Sequence, residues 1–472
     1  MSERLLSVGL DVGTTSTQLI VSELEIENRA SSFAVPEMEI AQRNIRYKSP
    51  VYFTPLLDES HVDGNGIRAI VEEEYRRAGI GRGDVDTGAI IITGETSRKE
   101  NARAVLDALS DFAGDFVVAT AGPDLESVLA AKGAGAVEFS AETGKTVLHM
   151  DIGGGTSNLA LIRDGKIVET GCLNVGGRLL KFDKNGTVIY VSPALEGLCT
   201  LKIGDRAEAA QVQAVAEMLT QALEMAAGLR EQTELLDKLW TKETDVIASQ
   251  SADWRGNPLW YSGVSGIAPR DDSVNFVISF SGGVADCIER EVPWLEYGDM
   301  GPVLGRAIRE SRLCRGEYRL GSETIRATVI GAGCHSAQLS GSTVFYQNVQ
   351  FPLKNIPVVN IAEPNRENIR RELQKQEGTA VIAMPGIPSP GYRQVRELAQ
   401  EIAAAVPEGQ LLLCLEQDMA KALGQALAVR LGKNTRILCI DRVKLAEGSY
   451  LDVGAPVGPA LPVVVKTLVL GR

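Results

Sequence analysis

Two apolar runs along the chain each end at an aspartate that is followed by small, turn-forming residues. Residues 5–10 lead into Asp11 and residues 146–150 lead into Asp151, and the letters that follow are VGTTST and IGGGTS. Each run predicts a buried strand, and each turn predicts a β-hairpin. Glycine lets a backbone approach a ligand closely, the amides of such turns can bind phosphate oxygens, and an aspartate can hold hydrated magnesium. The repeat predicts two half-domains that close on one nucleotide.

Strand-like and helix-like segments alternate between and beyond these turns, which predicts an α/β protein. Strands are predicted in the hairpins 5–24 and 146–169 and over 89–93, 116–120 and 274–280. Helices are predicted over 66–79, 96–109, 206–238 and 327–341, from Asp124 onward, and at the end of 172–178. Residues 241–273 are polar and are expected to be loop-rich.

The chain after residue 341 repeats the alternation on a smaller scale. Strands are predicted over 358–361, 380–384, 411–415 and 435–440, and helices over 391–405 and 418–431. This order predicts a small parallel α/β domain. Two roles are open for it: contact with a partner or a second copy, or packing support for the rest of the chain.

Composition and charge narrow the class of protein. A chain of 472 residues is too long for one hydrophobic core, and 44% hydrophobic with 23% charged residues is ordinary for a globular protein. A net charge of −13 argues against nucleic acid or an anionic membrane as the main partner. No apolar run approaches the roughly 20 residues of a membrane span, and the N-terminus lacks a signal-peptide core. We therefore expect a cytoplasmic protein.

Cysteine and histidine offer little chemistry. The seven cysteines form no Cys-x-x-Cys pair, and three histidines make a zinc site unexpected. Cys334 and His335 are adjacent in a predicted helix, which argues against a catalytic dyad. His149 lies in the strand before Asp151 and is expected to be packed rather than catalytic.

Five segments, taken in order, resemble the actin, sugar-kinase and Hsp70 ATPase superfamily. They are similar to its phosphate-1 loop, first connecting helix, phosphate-2 loop, adenosine loop and second connecting helix, at 11–17, 121–136, 151–157, 278–286 and 331–341. The resemblance implies an actin-like (ribonuclease H-like) two-lobed α/β ATPase with an additional C-terminal α/β domain. It divides the chain into lobe I with the phosphate-1 loop, lobe II with the other two loops, and the C-terminal domain, at 1–135, 136–341 and 342–472.

The resemblance also implies ATP and Mg²⁺ as cofactors and assigns residues to them. Asp11 and Asp151 would flank the magnesium through water and be catalytic. The phosphates would be bound by Gly13, Thr14, Thr15, Gly153, Gly154, Gly155 and Thr156, and Gly282 and Gly283 would face the adenosine. Closure of the lobes would position the attacking water.

The chain departs from the Hsp70 pattern at two places where that family has an acid. Asn158 stands two positions after the threonine of phosphate loop 2, and Gly122 replaces the glutamate before Pro123. The carboxylate that would position water is therefore expected elsewhere. Glu95, at the end of a strand aimed at the cleft, is the favoured candidate, with Asp124 and Glu126 as alternatives, and we expect slow turnover.

Along its whole length the chain resembles the ethanolamine ammonia-lyase reactivating factor family. The match rests on residues 9–18, 150–158 and 280–286 and on the tail 452–466, which lies outside the ATPase motifs. The resemblance implies a chaperone-like factor that uses ATP to open the adenosylcobalamin-dependent lyase, so that damaged cobalamin leaves and intact cofactor enters.

Other functions of the same superfamily stay open on the sequence. They are a small-molecule or sugar kinase, an iron–sulfur dehydratase activator and a filament former. The lyase-binding surface, self-association and any link to the ethanolamine utilisation microcompartment also stay open.

Overall fold

The computed structural model describes most of the chain. The described residues are 3–13, 16–28, 38–58, 61–93, 96, 101, 105, 109, 117–120, 123–241, 276–335, 337–340, 343–375, 378–406, 409–443, 445, 449–454, 456 and 461–467. Most of the helix expected over 96–109 and nearly all of the loop-rich stretch expected over 241–273 lie outside them.

The described elements alternate much as the hydrophobic pattern predicts. The strands are β1 (Glu3–Val12), β2 (Ser16–Asn28), β3 (Met38–Lys48), β4 (Tyr52–Phe53), β5 (Thr87–Ile92), β6 (Val117–Thr120), β7 (Thr146–Ile152), β8 (Ser157–Arg163), β9 (Lys166–Leu173), β10 (Leu180–Phe182), β11 (Val188–Val191), β12 (Phe276–Ser281), β13 (Tyr318–Leu320), β14 (Ala337–Leu339), β15 (Phe345–Gln347), β16 (Leu353–Asn360), β17 (Val381–Met384), β18 (Gln410–Leu415), β19 (Arg436–Asp441), β20 (Ser449–Val453) and β21 (Pro462–Thr467). The α-helices are α1 (Gly64–Ala78), α2 (Pro123–Gly133), α3 (Ala136–Thr143), α4 (Ala209–Ala226), α5 (Glu234–Leu239), α6 (Gly301–Glu310), α7 (Ala327–His335), α8 (Arg366–Leu373), α9 (Tyr392–Ala405) and α10 (Ala420–Leu431).

Two sheets share one topology. In the first, the order is β3-β2-β1-β5-β6, with β4 added beside β2. In the second, the order β9-β8-β7-β12-β13 repeats it strand for strand. In both, the first strand is antiparallel to its hairpin partner and parallel to the strand on its other side. This duplication is the two-lobed actin-like arrangement, and it confirms the predicted fold class.

The first sheet is covered on both faces, which explains why its strands are nearly continuous apolar runs. Alternate side chains of β5 point to opposite faces of the sheet. Ile90 and Ile92 pack in the core beneath α1. Ala89 and Ile91 join a second core with Leu129 of α2 on the other face. Helix α1 ends at Gly79, whose φ of 68° is a left-handed cap that glycine adopts without strain, as predicted.

Helices α2 and α7 meet in backbone contact. A Cβ atom at Gly133 would lie 1.8 Å from the carbonyl oxygen of Ala327, and one at Gly331 would lie 2.0 Å from that of Leu129. Helix α7 also lies against β1, because a Cβ at Gly9 would lie 2.6 Å from the carbonyl oxygen of Val329. The run of small residues in both helices therefore has a packing reason: it lets the two connecting helices touch.

A third sheet holds the C-terminal strands in the order β14-β21-β20-β16-β17-β18-β19-β15. Its centre, β16 to β19, is parallel, as predicted. Its flanks are antiparallel, which the alternation of strands and helices did not reveal. The boundaries drawn between the three domains stay a prediction.

Three element predictions were wrong in detail. The helix expected over 327–341 ends at His335, and β14 then joins the third sheet. The helical stretch over 206–238 is two helices, α4 and α5. Residues 172–178 do not begin a helix. The chain turns after β9, because the amides of Gly177 and Arg178 donate hydrogen bonds to carbonyls of the second aspartate loop.

No helix among the described residues combines the length and the apolar character that crossing a membrane requires.

Candidate functional site

The two aspartate loops close in the same way. The amide of Gly13 donates to the carbonyl of Ser16 at 2.9 Å, and the amide of Gly153 donates to the carbonyl of Thr156 at 2.9 Å. Each loop joins equivalent strands of the two matching sheets, β1 to β2 and β7 to β8. The duplication seen in sheet order therefore extends to the hydrogen bonding of the turns.

Asp11 is a buried carboxyl at the end of β1. Its side chain is 9% exposed, and the Thr93 hydroxyl donates to its Oδ1 at 3.0 Å. Burial raises the pKa of Asp11 to about 7, and the charge of Asp151 contributes to the rise while the Thr93 hydrogen bond opposes it. The carboxylates of the two lobes are thus close enough to interact.

Asp151 occupies the matching place in the second lobe. It is 8% exposed and accepts hydrogen bonds from the hydroxyls of Ser281 and Thr328. Burial raises its pKa to about 6, against the lowering effect of these two donors. Two buried carboxylates, one of which raises the pKa of the other, create a strong demand for a cation.

An amide side chain stands directly across the hairpin from each aspartate. Gln18 pairs with Asp11, and Asn158 pairs with Asp151, so each amide shares a sheet face with its carboxylate. Gln18 Nε2 donates to the carbonyl of Ile325 at 3.1 Å. The oxygens Gln18 Oε1 and Asn158 Oδ1 are buried, and no donor among the described residues reaches either one.

Glu126 is the carboxylate that the structure brings to this face. Asn158 Nδ2 donates to Glu126 Oε2 at 2.8 Å, and Glu126 is 9% exposed on α2. Asp124 points elsewhere, since its Oδ1 accepts a hydrogen bond from Thr170 of β9 at 2.5 Å. Glu95, the favoured candidate from the sequence, lies outside the described residues, and so do Thr14 and Thr15.

The second aspartate loop rests on the turn that follows β9. The amide of Gly177 donates to the carbonyl of Gly153 at 3.0 Å, and the amide of Arg178 donates to that of Gly154 at 2.7 Å. The Arg178 guanidinium pairs with Asp299 at 3.1 Å. These contacts leave Gly155 with open space on its Cβ side and place a cation beside the glycine-rich turn.

The two adenosine-loop glycines differ in their surroundings. Gly282 has φ 87°, and a Cβ there would lie 2.3 Å from the carbonyl oxygen of Ile152, so its glycine is required by contact with β7. Its amide donates to the carbonyl of Thr324 at 2.9 Å. A Cβ at Gly283 would meet no atom within 4 Å, so this residue offers open backbone instead. The assignment of both residues to adenosine stays a prediction.

Sequence reasoning missed the hydroxyl and amide partners of the aspartates. Thr93 directly follows β5 and Ser281 ends β12, the parallel strands beside Asp11 and Asp151, and only strand pairing brings them there. Gln18 and Asn158 had a signal that could have been read, because both stand seven positions after an aspartate.

The donor set suits magnesium rather than an all-protein metal cage. Among the residues that the structure describes, no group of three or more His, Cys, Asp and Glu side chains could hold a metal ion. Magnesium needs no such group, because it keeps several waters and uses one or two carboxylates together with phosphates. Asp11 and Asp151 could supply the carboxylates, and the buried oxygens of Gln18 and Asn158 could accept hydrogen bonds from its waters.

Comparison with known proteins points to one family. The family model described as "Ethanolamine utilisation protein EutA" matches residues 3–471. The chain is 37% identical over 483 residues to the ethanolamine ammonia-lyase reactivase EutA of Salmonella typhimurium, and 99% of each chain is covered. It is also 37% identical over 485 residues to the reactivase of the same name from Escherichia coli, again with 99% of each chain covered.

Solved structures match more distantly. A Ppx/GppA phosphatase of Aquifex aeolicus is 11% identical with a TM-score of 0.38, covering 70% of this chain and 99% of that chain. The ethanolamine utilization protein EutJ from Carboxydothermus hydrogenoformans is 16% identical with a TM-score of 0.32, covering 70% of this chain and 89% of that chain.

Proposed function

The chain belongs to the ethanolamine utilisation protein EutA family, and from that premise we propose that it is an ATP-dependent reactivase of ethanolamine ammonia-lyase. It would open the lyase so that damaged cobalamin leaves and intact adenosylcobalamin enters. The observation that carries the ATP-dependent part is the pair of equivalent loops, each with a buried aspartate, on two sheets of the same topology.

Nucleotide binding would use both loops at once. The open backbone of Gly155 and the turns at Gly13, Gly153 and Gly154 suit phosphate oxygens, with Thr14, Thr15 and Thr156 as hydroxyl donors. Gly282 and Gly283 would lie beside the adenosine. A ligand that touches loops on both lobes favours the closed arrangement of the lobes over the open one.

Asp11 and Asp151 would hold Mg²⁺ through water. The ion would neutralise charge on the phosphates and on the departing phosphoryl group. Its presence would also offset the cost of burying two carboxylates whose pKa values are raised to about 7 and about 6. Gln18 and Asn158 would accept hydrogen bonds from the surrounding waters.

Orientation of the attacking water requires a carboxylate near this face. Among the described candidates, the contact with Asn158 supports Glu126. Related ATPases have an acid at the position that Asn158 occupies in this chain, and Glu126 would bring a carboxylate to the same place from α2. Glu95 stays a second candidate. A general base contributes about 10²–10⁴-fold to such a step, so a displaced one is consistent with slow hydrolysis.

Coupling to the lyase would run through the connecting helices. Helices α2 and α7 touch through Gly133 and Gly331, so the lobes can rotate only by moving this contact. ATP and ADP can drive that rotation only as far as their affinities for the open and closed lobes differ. The lyase would be gripped in one arrangement and released in the other.

The test is reactivation of the lyase in vitro. Ethanolamine ammonia-lyase is inactivated with cyanocobalamin and then incubated with this protein, adenosylcobalamin, Mg²⁺ and ATP. Return of ammonia-lyase activity that needs both ATP and Mg²⁺ supports the proposal. Recovery that is the same without ATP, or no recovery, contradicts it. An ATP loss that rises on addition of a small-molecule acceptor would indicate the kinase alternative.

A further inference from the structure

A buried hydrogen-bonded chain of three side chains ends on Asp151. His149 Nδ1 lies 3.2 Å from the hydroxyl of Ser279, and His149 Nε2 lies 2.9 Å from the hydroxyl of Ser281. The Ser281 hydroxyl in turn donates to Asp151 Oδ1. His149 and Ser281 are 0% exposed, and Ser279 is 4% exposed. Water therefore does not compete for these bonds.

Counting protons gives the chain one direction. The single proton of Ser281 goes to Asp151, so Ser281 Oγ must accept from His149 Nε2, which carries the imidazole proton. His149 Nδ1 is then an acceptor and receives the proton of Ser279. Every hydroxyl and ring nitrogen has one role in this scheme, and burial keeps the ring neutral.

The described part of the first lobe holds no such chain of side chains, although its sheet is equivalent. The residue two positions before Asp11 is Gly9, where His149 stands two positions before Asp151. Gly9 packs against the backbone of α7, and Ile91 takes the place of Ser281 beside Asp11. The shared topology of the two sheets therefore does not explain why a histidine stands at position 149. Packing alone would also not require three buried polar side chains that are hydrogen-bonded to one another.

We propose that His149 is a positioning residue for Asp151: its Nε2–H orients the Ser281 hydroxyl, which holds Asp151 Oδ1 and presents the carboxylate to the hydrated magnesium of the bound nucleotide. The inference rests on the proposed use of ATP and Mg²⁺. Bonds in a chain of donors and acceptors strengthen one another, so loss of a distant member weakens the contact at the carboxylate.

Two substitutions at position 149 separate this role from packing. In His149→Gln, the amide nitrogen lies near the place of Nε2 and can still donate to Ser281. In His149→Asn, the shorter amide lies near the place of Nδ1 and cannot reach Ser281. Both variants are neutral and polar. Asparagine leaves the larger void at this fully buried site, so the thermal unfolding of each variant is needed to show how much of its effect comes from lost volume.

The readout is the Mg²⁺ concentration that half-saturates binding of a fluorescent ATP analogue, measured on the full-length protein together with its thermal unfolding. Removing a residue that orients a metal-binding side chain costs about 10–100-fold in metal affinity. We expect His149→Asn to raise the half-saturating Mg²⁺ about tenfold and His149→Gln to stay within about threefold of wild type.

Equal Mg²⁺ dependence in both variants, whether normal or impaired, overturns the role of His149. If wild-type protein binds the analogue without need of Mg²⁺, or not at all, the proposed function fails first and the inference falls with it. Should neither variant fold, Ser279→Ala decides, because it removes one atom and does not touch Asp151. A raised half-saturating concentration of Mg²⁺ in Ser279→Ala supports the hydrogen-bonded chain of side chains, and an unchanged concentration overturns it.

Discussion

Replacing Asp11 with asparagine should stabilise the protein in the absence of nucleotide and Mg²⁺ while ending its function. Asparagine has the same shape, and its Oδ1 can still accept the hydrogen bond that Thr93 donates at 3.0 Å. The change removes the charge of a side chain that is 9% exposed and whose pKa is raised by burial and by Asp151. Function and stability are therefore expected to change in opposite directions at this position.

The raised pKa of Asp11 sets the magnitude and the pH window. Burial and Asp151 raise it from 3.8 to about 7, and a rise of about 3 units corresponds to a cost of about 4 kcal/mol for the ionised form. Relaxation and water entry lower the observable gain to roughly 1–3 kcal/mol. Between about pH 4 and pH 7 the native state binds more protons than the unfolded state, so wild-type stability falls as pH rises through this window.

The assay is urea unfolding of protein freed of nucleotide and Mg²⁺, at about pH 5.5 and about pH 8. Asp11→Asn should be more stable than wild type by roughly 1–3 kcal/mol at the higher pH and by clearly less at the lower pH. Asp164→Asn, at an exposed turn with φ 48°, is the matched control and should change little at either pH. ATP with Mg²⁺ should then stabilise wild type and leave Asp11→Asn unaffected.

The reasoning is refuted if Asp11→Asn is no more stable than wild type at about pH 8. It is equally refuted if the gain is the same at both values of pH, because a charge-independent packing effect would then explain it.

Three further outcomes follow from the geometry of the site and its connecting helices. Glu126→Gln should slow ATP turnover about 10²-fold in a phosphate-release assay while nucleotide affinity is kept; Asp124→Asn is its control, and an equal loss in both would contradict the role of Glu126. Gly331→Ala should lower the free energy of unfolding in urea by about 1–3 kcal/mol, because its Cβ would lie 2.0 Å from the carbonyl oxygen of Leu129; Gly316→Ala, with open space around it, should not, and similar losses would count against helix contact as the cause. Chelation of Mg²⁺ should abolish the thermal stabilisation that ATP gives to wild type, and full stabilisation by ATP in a chelator would argue against a magnesium site at Asp11 and Asp151.

Much of the fold could be predicted because the hydrophobic pattern and the turn residues agree. The left-handed cap at Gly79 and the apolar run ending at Asp151 each combine a periodic pattern with a clear stop signal. The end of α7 was harder, because small residues continue past His335 and only pairing of β14 with β21 makes that segment a strand. Likewise, the backbone contacts of Gly153 and Gly154 turn the chain after β9, where local sequence favoured a helix.

The candidate site likewise contains residues that local sequence signals reveal and residues that only the pairing of distant segments reveals. Asp11 and Asp151 could be found because each follows a strand and precedes a turn, which are local signals. Thr93 and Ser281 could not, because they reach the aspartates through parallel pairing between distant segments. The sequence favoured Glu95 and left Asp124 and Glu126 as equal alternatives, and the contact with Asn158 distinguishes Glu126 from Asp124.

The measurement that tests the central claim most directly is release of cyanocobalamin from inactivated ethanolamine ammonia-lyase, followed by absorbance after separation of free cobalamin. With ATP and Mg²⁺, wild-type protein should release the bound cyanocobalamin, and Asp11→Ala and Asp151→Ala, each checked for a native thermal unfolding transition, should release none. Release by either variant at the wild-type rate, or release by wild type that does not depend on ATP, would contradict the proposal that ATP bound at the two aspartate loops drives opening of the lyase.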